Sequence, residues 1–160
     1  MTDDFEARIG KLEAAEDIRR LKARYADVCD TGYDPERMVP LFTSDAVWGG
    51  GERFGRYDGI DAIYGFFQGV STQITWALHY MVAPIIEVAH DLETAIGSWY
   101  LWQPCTVIGE QGPQAVWLTG RYADRYRRDE DGWKFSAVRL DCQTISPFEE
   151  GWARRPFWNT

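Results

Sequence analysis

The hydrophobic period of the chain changes once, near Trp76, and that change limits the fold more than any other feature of the sequence. Before it, apolar residues recur every three or four positions; after it, they alternate at every second position. Over residues 9–29, Ile18, Leu21, Tyr25, Val28 and Cys29 share helical spacing while Glu13, Glu16, Arg20 and Arg24 stay off that stripe. The pattern predicts an amphipathic helix that Thr31-Gly32 ends. Pro35 predicts the first turn of a short second helix over 35–41. Asp58-Gly59-Ile60-Asp61 opens a third, running to about 68, with Ile60, Ile63, Phe66 and Phe67 as its buried face. Alternation then predicts strands over 76–88, 94–108, 115–128 and 133–145, separated by turns at Ala89-His90-Asp91, at 109–113 and at 129–132. Strands joined by short turns pair antiparallel, and helices gathered at the N-terminal side make the class α+β. A strongly curved, mainly antiparallel sheet wrapped over three helices encloses a pocket.

With 160 residues and no internal repeat or linker, the chain reads as a single domain over 1–160, with a core over about 8–145 and a tail over 146–160. Eight Trp, eight Tyr and eight Phe are more than an ordinary core of this size needs, so some are expected to line a cavity. The formal charge of -8 is the wrong sign for neutralising phosphates, which argues against nucleic acid as a partner. No apolar run approaches the ~18 residues a membrane span requires, and residues 1–20 lack the pattern of a signal peptide, so a soluble cytoplasmic protein is expected. Cys29, Cys105 and Cys142 form no CxxC pair and leave one over, as buried thiols in a reducing compartment would.

His79 is one of two histidines, and alternation places it with Met81, Ala83 and Ile85 on an apolar face, where an imidazole needs a hydrogen-bond partner. It is either a core histidine bonded to a backbone carbonyl or a base. Asp30 ends the first helix, where a carboxylate opposes the macrodipole; it is either an exposed acid before a turn or a placed functional group. Tyr25 lies on the buried stripe, and a buried phenol needs a partner. Arg139 follows Trp133, Phe135 and Ala137 at every second position, which sends it inward, to meet a substrate oxyanion or to pair with Asp141 on the same face. Trp102 offers a flat apolar surface. Two histidines without HxH or HExxH spacing give no metal shell, and no GxGxxG or P-loop pattern appears, so no cofactor is expected. The tail carries Phe148, Trp152, Phe157 and Trp158, which should cover the pocket mouth or pack on a neighbouring subunit.

Several motifs in order carry a resemblance: Ile18-Arg19-Arg20-Leu21 leading to Tyr25 and Asp30, then Leu41-Phe42-Thr43-Ser44-Asp45-Ala46-Val47-Trp48, Gly55-Arg56-Tyr57-Asp58-Gly59, Tyr122-Ala123-Asp124-Arg125-Tyr126 and Gly132-Trp133-Lys134-Phe135. Over about residues 8–145 the chain resembles the SnoaL-like group of the NTF2-like superfamily, which includes scytalone dehydratase, bile acid 7α-dehydratase and hexachlorocyclohexane dehydrochlorinase. The resemblance implies an NTF2-like cone and a cofactor-independent lyase acting on a hydrophobic cyclic small molecule. It implies that His79 abstracts a proton, that Asp30 orients it, and that Tyr25, five residues before Asp30, with Arg139, holds an oxygen of the substrate. Trp48, Met81, Trp102 and Phe135 are then the substrate-contacting candidates. A homotrimer is implied as well. The superfamily also holds ketosteroid-type isomerases, polyketide cyclases, non-catalytic binding proteins and dioxygenase small subunits, so the fold alone does not choose among these.

Overall fold

The structure is a computed structural model that describes residues 2–158, with side chains from Phe5 onward. Helix α1 (Thr2–Asp30) is followed by α2 (Pro35–Met38), which runs into a 3-10 turn over Val39–Leu41. Next come β1 (Phe42–Gly49), the single turn α3 (Gly51–Phe54), β2 (Arg56–Asp58) and α4 (Ile60–Gln73). Five strands complete the chain: β3 (Ile74–Ala77), β4 (Tyr80–Val88), β5 (Thr94–Gly109), β6 (Gly112–Asp129) and β7 (Gly132–Pro147). All lie in one seven-stranded sheet of order β2-β1-β7-β6-β5-β3, with β4 also on β5. Every pair is antiparallel except β1 with β7, which run parallel. The α+β class and the mainly antiparallel sheet are as the sequence predicts. Strands β1 and β2 are additions: β2 has three residues, and β1 breaks its alternation where Ser44 and Asp45 are both exposed. Among the described residues no helix is long and apolar enough to cross a membrane.

The core lies where α1 crosses the inner face of the sheet. Ala14, Ile18, Leu21, Tyr25, Val28 and Cys29 are all buried, and they meet Tyr122, Tyr126, Phe135 and Val138 from β6 and β7. Helix α4 adds Ile63 and Phe67. One position on the α1 stripe breaks the apolar rule: Lys22, one turn beyond Ile18, is 1% exposed and pairs with buried Asp124 of β6 at 2.8 Å. Its ammonium lies 3.5 Å from the centre of the Tyr122 ring, so aromatic faces replace part of its hydration. Burial pushes the Lys22 ammonium down and the Asp124 carboxyl up, and their contact with one another opposes both shifts.

Three interruptions of the sheet decide which side chains face inward. On β7, Arg125 pairs with Ala137 but Tyr126 with Phe135, so Ser136 is an extra residue on that strand. Such a bulge reverses the phase of alternation. Phe135 is fully buried, but beyond the bulge Val138 and Leu140 turn inward and Arg139 and Asp141 face outward, exposed. The inward placement expected for Arg139 is therefore corrected, and no ion pair joins it to Asp141 among the described residues. On β4, a register shift between Val82 and Ile85, with Ala83 at φ 51°, has the same effect. Ala83 and Ile85 are exposed, so the expected common face of His79, Met81, Ala83 and Ile85 ends at Met81.

The third interruption lies at the histidine. The predicted strand over 76–88 is split, and Leu78 and His79 fall in the gap between β3 and β4. The register on either side continues unbroken, which sets Leu78 opposite Pro104 and His79 opposite Gln103. Pro104 has no N–H to return to Leu78, although its carbonyl accepts from Leu78 N–H at 3.1 Å. The ladder is thus broken where His79 turns inward.

Candidate active site

Helix α1 stops at Asp30 because Gly32 takes a left-handed φ of 105° and Tyr33 N–H turns back to the Val28 carbonyl at 2.9 Å. The ending frees the Asp30 side chain to leave the helical stripe. Its Oδ1 accepts two bonds from His79, one from the backbone N–H at 2.9 Å and one from ring Nδ1 at 2.6 Å. A carboxylate has only lone pairs to offer, so Nδ1 carries the ring proton and Nε2 keeps a free lone pair. The same carboxylate satisfies the His79 amide, which points away from β5 at the open edge of the sheet. His79's side chain is 4% exposed. Burial, the larger influence, lowers its pKa from 6.5 and outweighs the opposing pull of Asp30.

The lowered value has a consequence for stability. Below 6.5 an unfolded chain gains a proton on this histidine before the folded chain does, so stability falls as the pH drops from 6.5 through the folded-state midpoint, and is unaffected by this group above 6.5. Urea unfolding at pH 7.5 and pH 5 should show a smaller loss for His79→Gln than for the unaltered chain. Equal losses would show that His79 does not contribute.

The imidazole borders a narrow hollow of about 40 Å3 between aromatic rings. Its walls are mostly aromatic and aliphatic, including Trp48, Phe54, Phe66, Phe67, Leu118 and Leu140. The polar groups on it are the hydroxyls of Tyr25, Tyr33 and Tyr122, the His79 ring, the Cys29 thiol and the Gln103 amide. Trp48 Nε1–H donates to the Tyr25 hydroxyl at 3.0 Å, so the oxygen of Tyr25 is held from behind, and Tyr25 in turn interacts with the Tyr122 hydroxyl. Burial pushes all three phenols up well above their ordinary value, so they stay protonated and serve as hydrogen-bond donors. Burial also pushes up the Cys29 thiol, which makes it a poor nucleophile. Among the described residues no three acidic, histidine or cysteine side chains converge as a metal-ligand set.

Of the residues singled out in the sequence, the structure brings His79, Asp30, Tyr25 and Trp48 to one place. It does not bring the others there. Arg139 is outside, as described above. Trp102 alternates with buried Leu101 and Gln103 and so stands on the outer face, packed on Trp117 at 5.1 Å and Trp152 at 5.8 Å. Met81 is half-buried against the core away from the hollow, and Phe135 is sealed beneath it against Tyr25 and Tyr126. The tail does not line the hollow either. Phe157 and Trp158 fold back onto Ile145, while Phe148 and Trp152 remain exposed. Tyr33, Gln103 and Tyr122 were passed over. The signal for Tyr122 was available, because Tyr122 and Tyr126 alternate with Arg121, Arg125 and Arg127 on their strand, whereas Gln103 follows a run that is apolar on both faces. Tyr33 follows a helix-ending glycine, and nothing in periodicity aims a turn residue.

The chain matches the SnoaL-like domain over residues 10–139. No curated protein matches it in sequence. Among solved structures, a proposed aromatic ring hydroxylase from Novosphingobium aromaticivorans DSM is 28% identical, with 85% of this chain and 94% of that one covered and a TM-score of 0.72. A type 2 hexachlorocyclohexane dehydrochlorinase is 20% identical, covering 88% and 93%, at a TM-score of 0.78. A proposed scytalone dehydratase from Novosphingobium aromaticivorans DSM 12444 is 21% identical, covering 92% of both chains, at 0.72. With the match spanning most of its length and the sheet wrapped on its helices as in these structures, the chain belongs to the SnoaL-like family and has the NTF2-like fold.

Proposed function

We propose that the chain is a cofactor-independent lyase that eliminates water, or a comparable leaving group, from a neutral hydrophobic ring compound. One observation carries the reading: an imidazole whose Nδ1 is fixed by Asp30 at 2.6 Å presents an unprotonated Nε2 to an aromatic hollow. His79 takes a carbon-bound proton, and Asp30 holds the tautomer and balances the imidazolium that forms. Tyr25, held by Trp48, and its neighbour Tyr122 donate to the carbonyl oxygen where negative charge develops. The Lys22 cation behind the Tyr122 ring strengthens that donor. Among the described residues, no carboxylate or cation other than the His79–Asp30 pair borders the hollow, which favours a neutral substrate. The likeness to a dehydrochlorinase and a proposed dehydratase supports the same reading, and the three free cysteines suit the reducing cytoplasm.

The test is product mass. Incubation with neutral cyclic β-hydroxy ketones, beginning with 3-hydroxycyclohexanone, should give a product lighter by one water. An unchanged mass with a moved double bond would instead make the chain an isomerase.

The working form we propose is a homotrimer. The outer face of β3, β4 and β5 and the adjoining tail expose Trp76, Tyr80, Tyr100, Trp102, Phe148 and Trp152, more apolar surface than a monomer commonly leaves bare. Light scattering should give a mass near three chains, and Trp102→Glu should shift it towards one. A monomeric mass for the unaltered chain would overturn the assembly.

A further inference from the structure

The proposed elimination leaves one step without a residue: the leaving oxygen must gain a proton, and the base must lose the one it took. We infer that Tyr33 is a further catalytic residue, which protonates the leaving hydroxyl and then recovers its proton from His79. The inference rests on the lyase reading above.

Tyr33 lines the hollow with its hydroxyl between His79 and Gln103. Its hydroxyl lies 3.4 Å from His79 Nε2 and 3.5 Å from Gln103 Nε2, and its ring meets the imidazole edge-on at 5.8 Å. Since Nε2 has only a lone pair and the Gln103 amide only hydrogens at that atom, the order of donation is fixed: Gln103 N–H to the Tyr33 oxygen, and Tyr33 O–H to His79. Both contacts are long. A ligand oxygen can therefore draw the phenol proton away from Nε2 without breaking a strong bond, which leaves the lone pair free for a carbon-bound hydrogen. The backbone pays for this placement, because Tyr33 is held at φ 58° directly after Gly32, a conformation side chains other than glycine rarely adopt. No comparable arrangement serves Tyr25, whose hydroxyl faces Trp48 and Tyr122 rather than the imidazole.

The step balances without a co-reactant. His79 Nε2 takes the hydrogen next to the carbonyl, the carbon–carbon double bond forms, and the carbon–oxygen bond breaks. The departing hydroxyl takes the Tyr33 proton and leaves as water. The imidazolium Nε2–H then returns a proton to the Tyr33 oxygen beside it, and both side chains are restored. Burial disfavours a lasting phenolate, so the two transfers at Tyr33 are coupled.

The experiment uses the full chain and 3-hydroxycyclohexanone in D2O, with NMR following deuterium uptake at C2 and formation of cyclohex-2-enone. Unaltered protein should do both and His79→Gln neither. Tyr33→Phe should still take up deuterium while enone formation falls by about 100-fold. Enone formation by Tyr33→Phe at the unaltered rate would overturn the inference, as would equal loss of both signals, which would mean that Tyr33 only positions His79. Deuterium uptake by His79→Gln would instead sink the lyase reading, whatever Tyr33 does, and an inert unaltered protein would sink both. If Tyr33→Phe does not fold, Gln103→Leu tests the same chain, with an expected loss of roughly fivefold in enone formation alone; no loss there would overturn the assignment. A substrate-free arm follows the His79 ring signals. Removing the phenol donor takes a bond from the neutral imidazole, so the titration midpoint should rise in Tyr33→Phe, and an unmoved midpoint would contradict the contact.

Discussion

Replacing His79 by Gln is expected to lower kcat/KM by about 100- to 10,000-fold, the range over which a placed general base contributes. The loss should fall on kcat, because the aromatic walls that bind the ring compound are untouched. Circular dichroism and thermal melting should show a folded chain, since the glutamine amide can still reach Asp30 and the His79 backbone N–H keeps its bond to that carboxylate. Asp30→Asn should act in the same direction but for a different reason. It removes the charge that stabilises the imidazolium, while the asparagine carbonyl oxygen can still accept from the His79 backbone N–H and ring Nδ1. In the unaltered protein activity should persist below pH 6.5 and disappear only as the pH falls through the lowered midpoint of His79. Full turnover by His79→Gln in an assay that unaltered protein passes would end the proposal.

The largest effect on stability is expected at Lys22. Truncation to Met leaves Asp124 fully buried with only the Tyr126 hydroxyl, at 2.9 Å, as a partner, while its Oδ1 already has none. Removing one member of such a pair costs about 3–5 kcal/mol. For a chain of this size that corresponds to a fall in Tm of roughly 6–20 °C. The double change Lys22→Met with Asp124→Leu removes both charges and should recover most of the loss, because an apolar replacement of a buried pair is often neutral or better. A Tm for Lys22→Met within a degree or two of the unaltered chain would mean that the pair carries little net charge.

The two predictions divide along what a sequence can reveal. His79 and Asp30 are distinguishable from ordinary core and surface residues by chemical type: an imidazole in an apolar run and a carboxylate at the wrong end of a helix. Both lie close to elements whose boundaries are legible, which makes each a candidate; that they form a pair was implied by the resemblance to the SnoaL-like group and not by periodicity. The α1 stripe was legible for the same reason. Lys22 occupies a position on that stripe, yet a lysine is read as solvent-facing unless its acid is found, and Asp124 lies 102 residues away on β6. Trp102 failed differently. Trp99, Tyr100, Leu101 and Trp102 put large apolar residues on both faces, so alternation has no polar side by which to set its phase. Arg139 was lost to one inserted residue, Ser136, which no period announces. Tyr33 was hidden because a turn residue takes its direction from a single backbone angle.

The bulge at Ser136 also bears on how chemistry can change in a chain of this kind. Ser136 and Ala137 share one position opposite Arg125, so deleting Ser136 would restore strict alternation and leave Phe135 inward and Arg139 outward, as they already stand. Flattening the bulge with every residue kept would instead slip the rest of the strand by one and turn the guanidinium inward, making a hollow suited to uncharged compounds into one that selects anions.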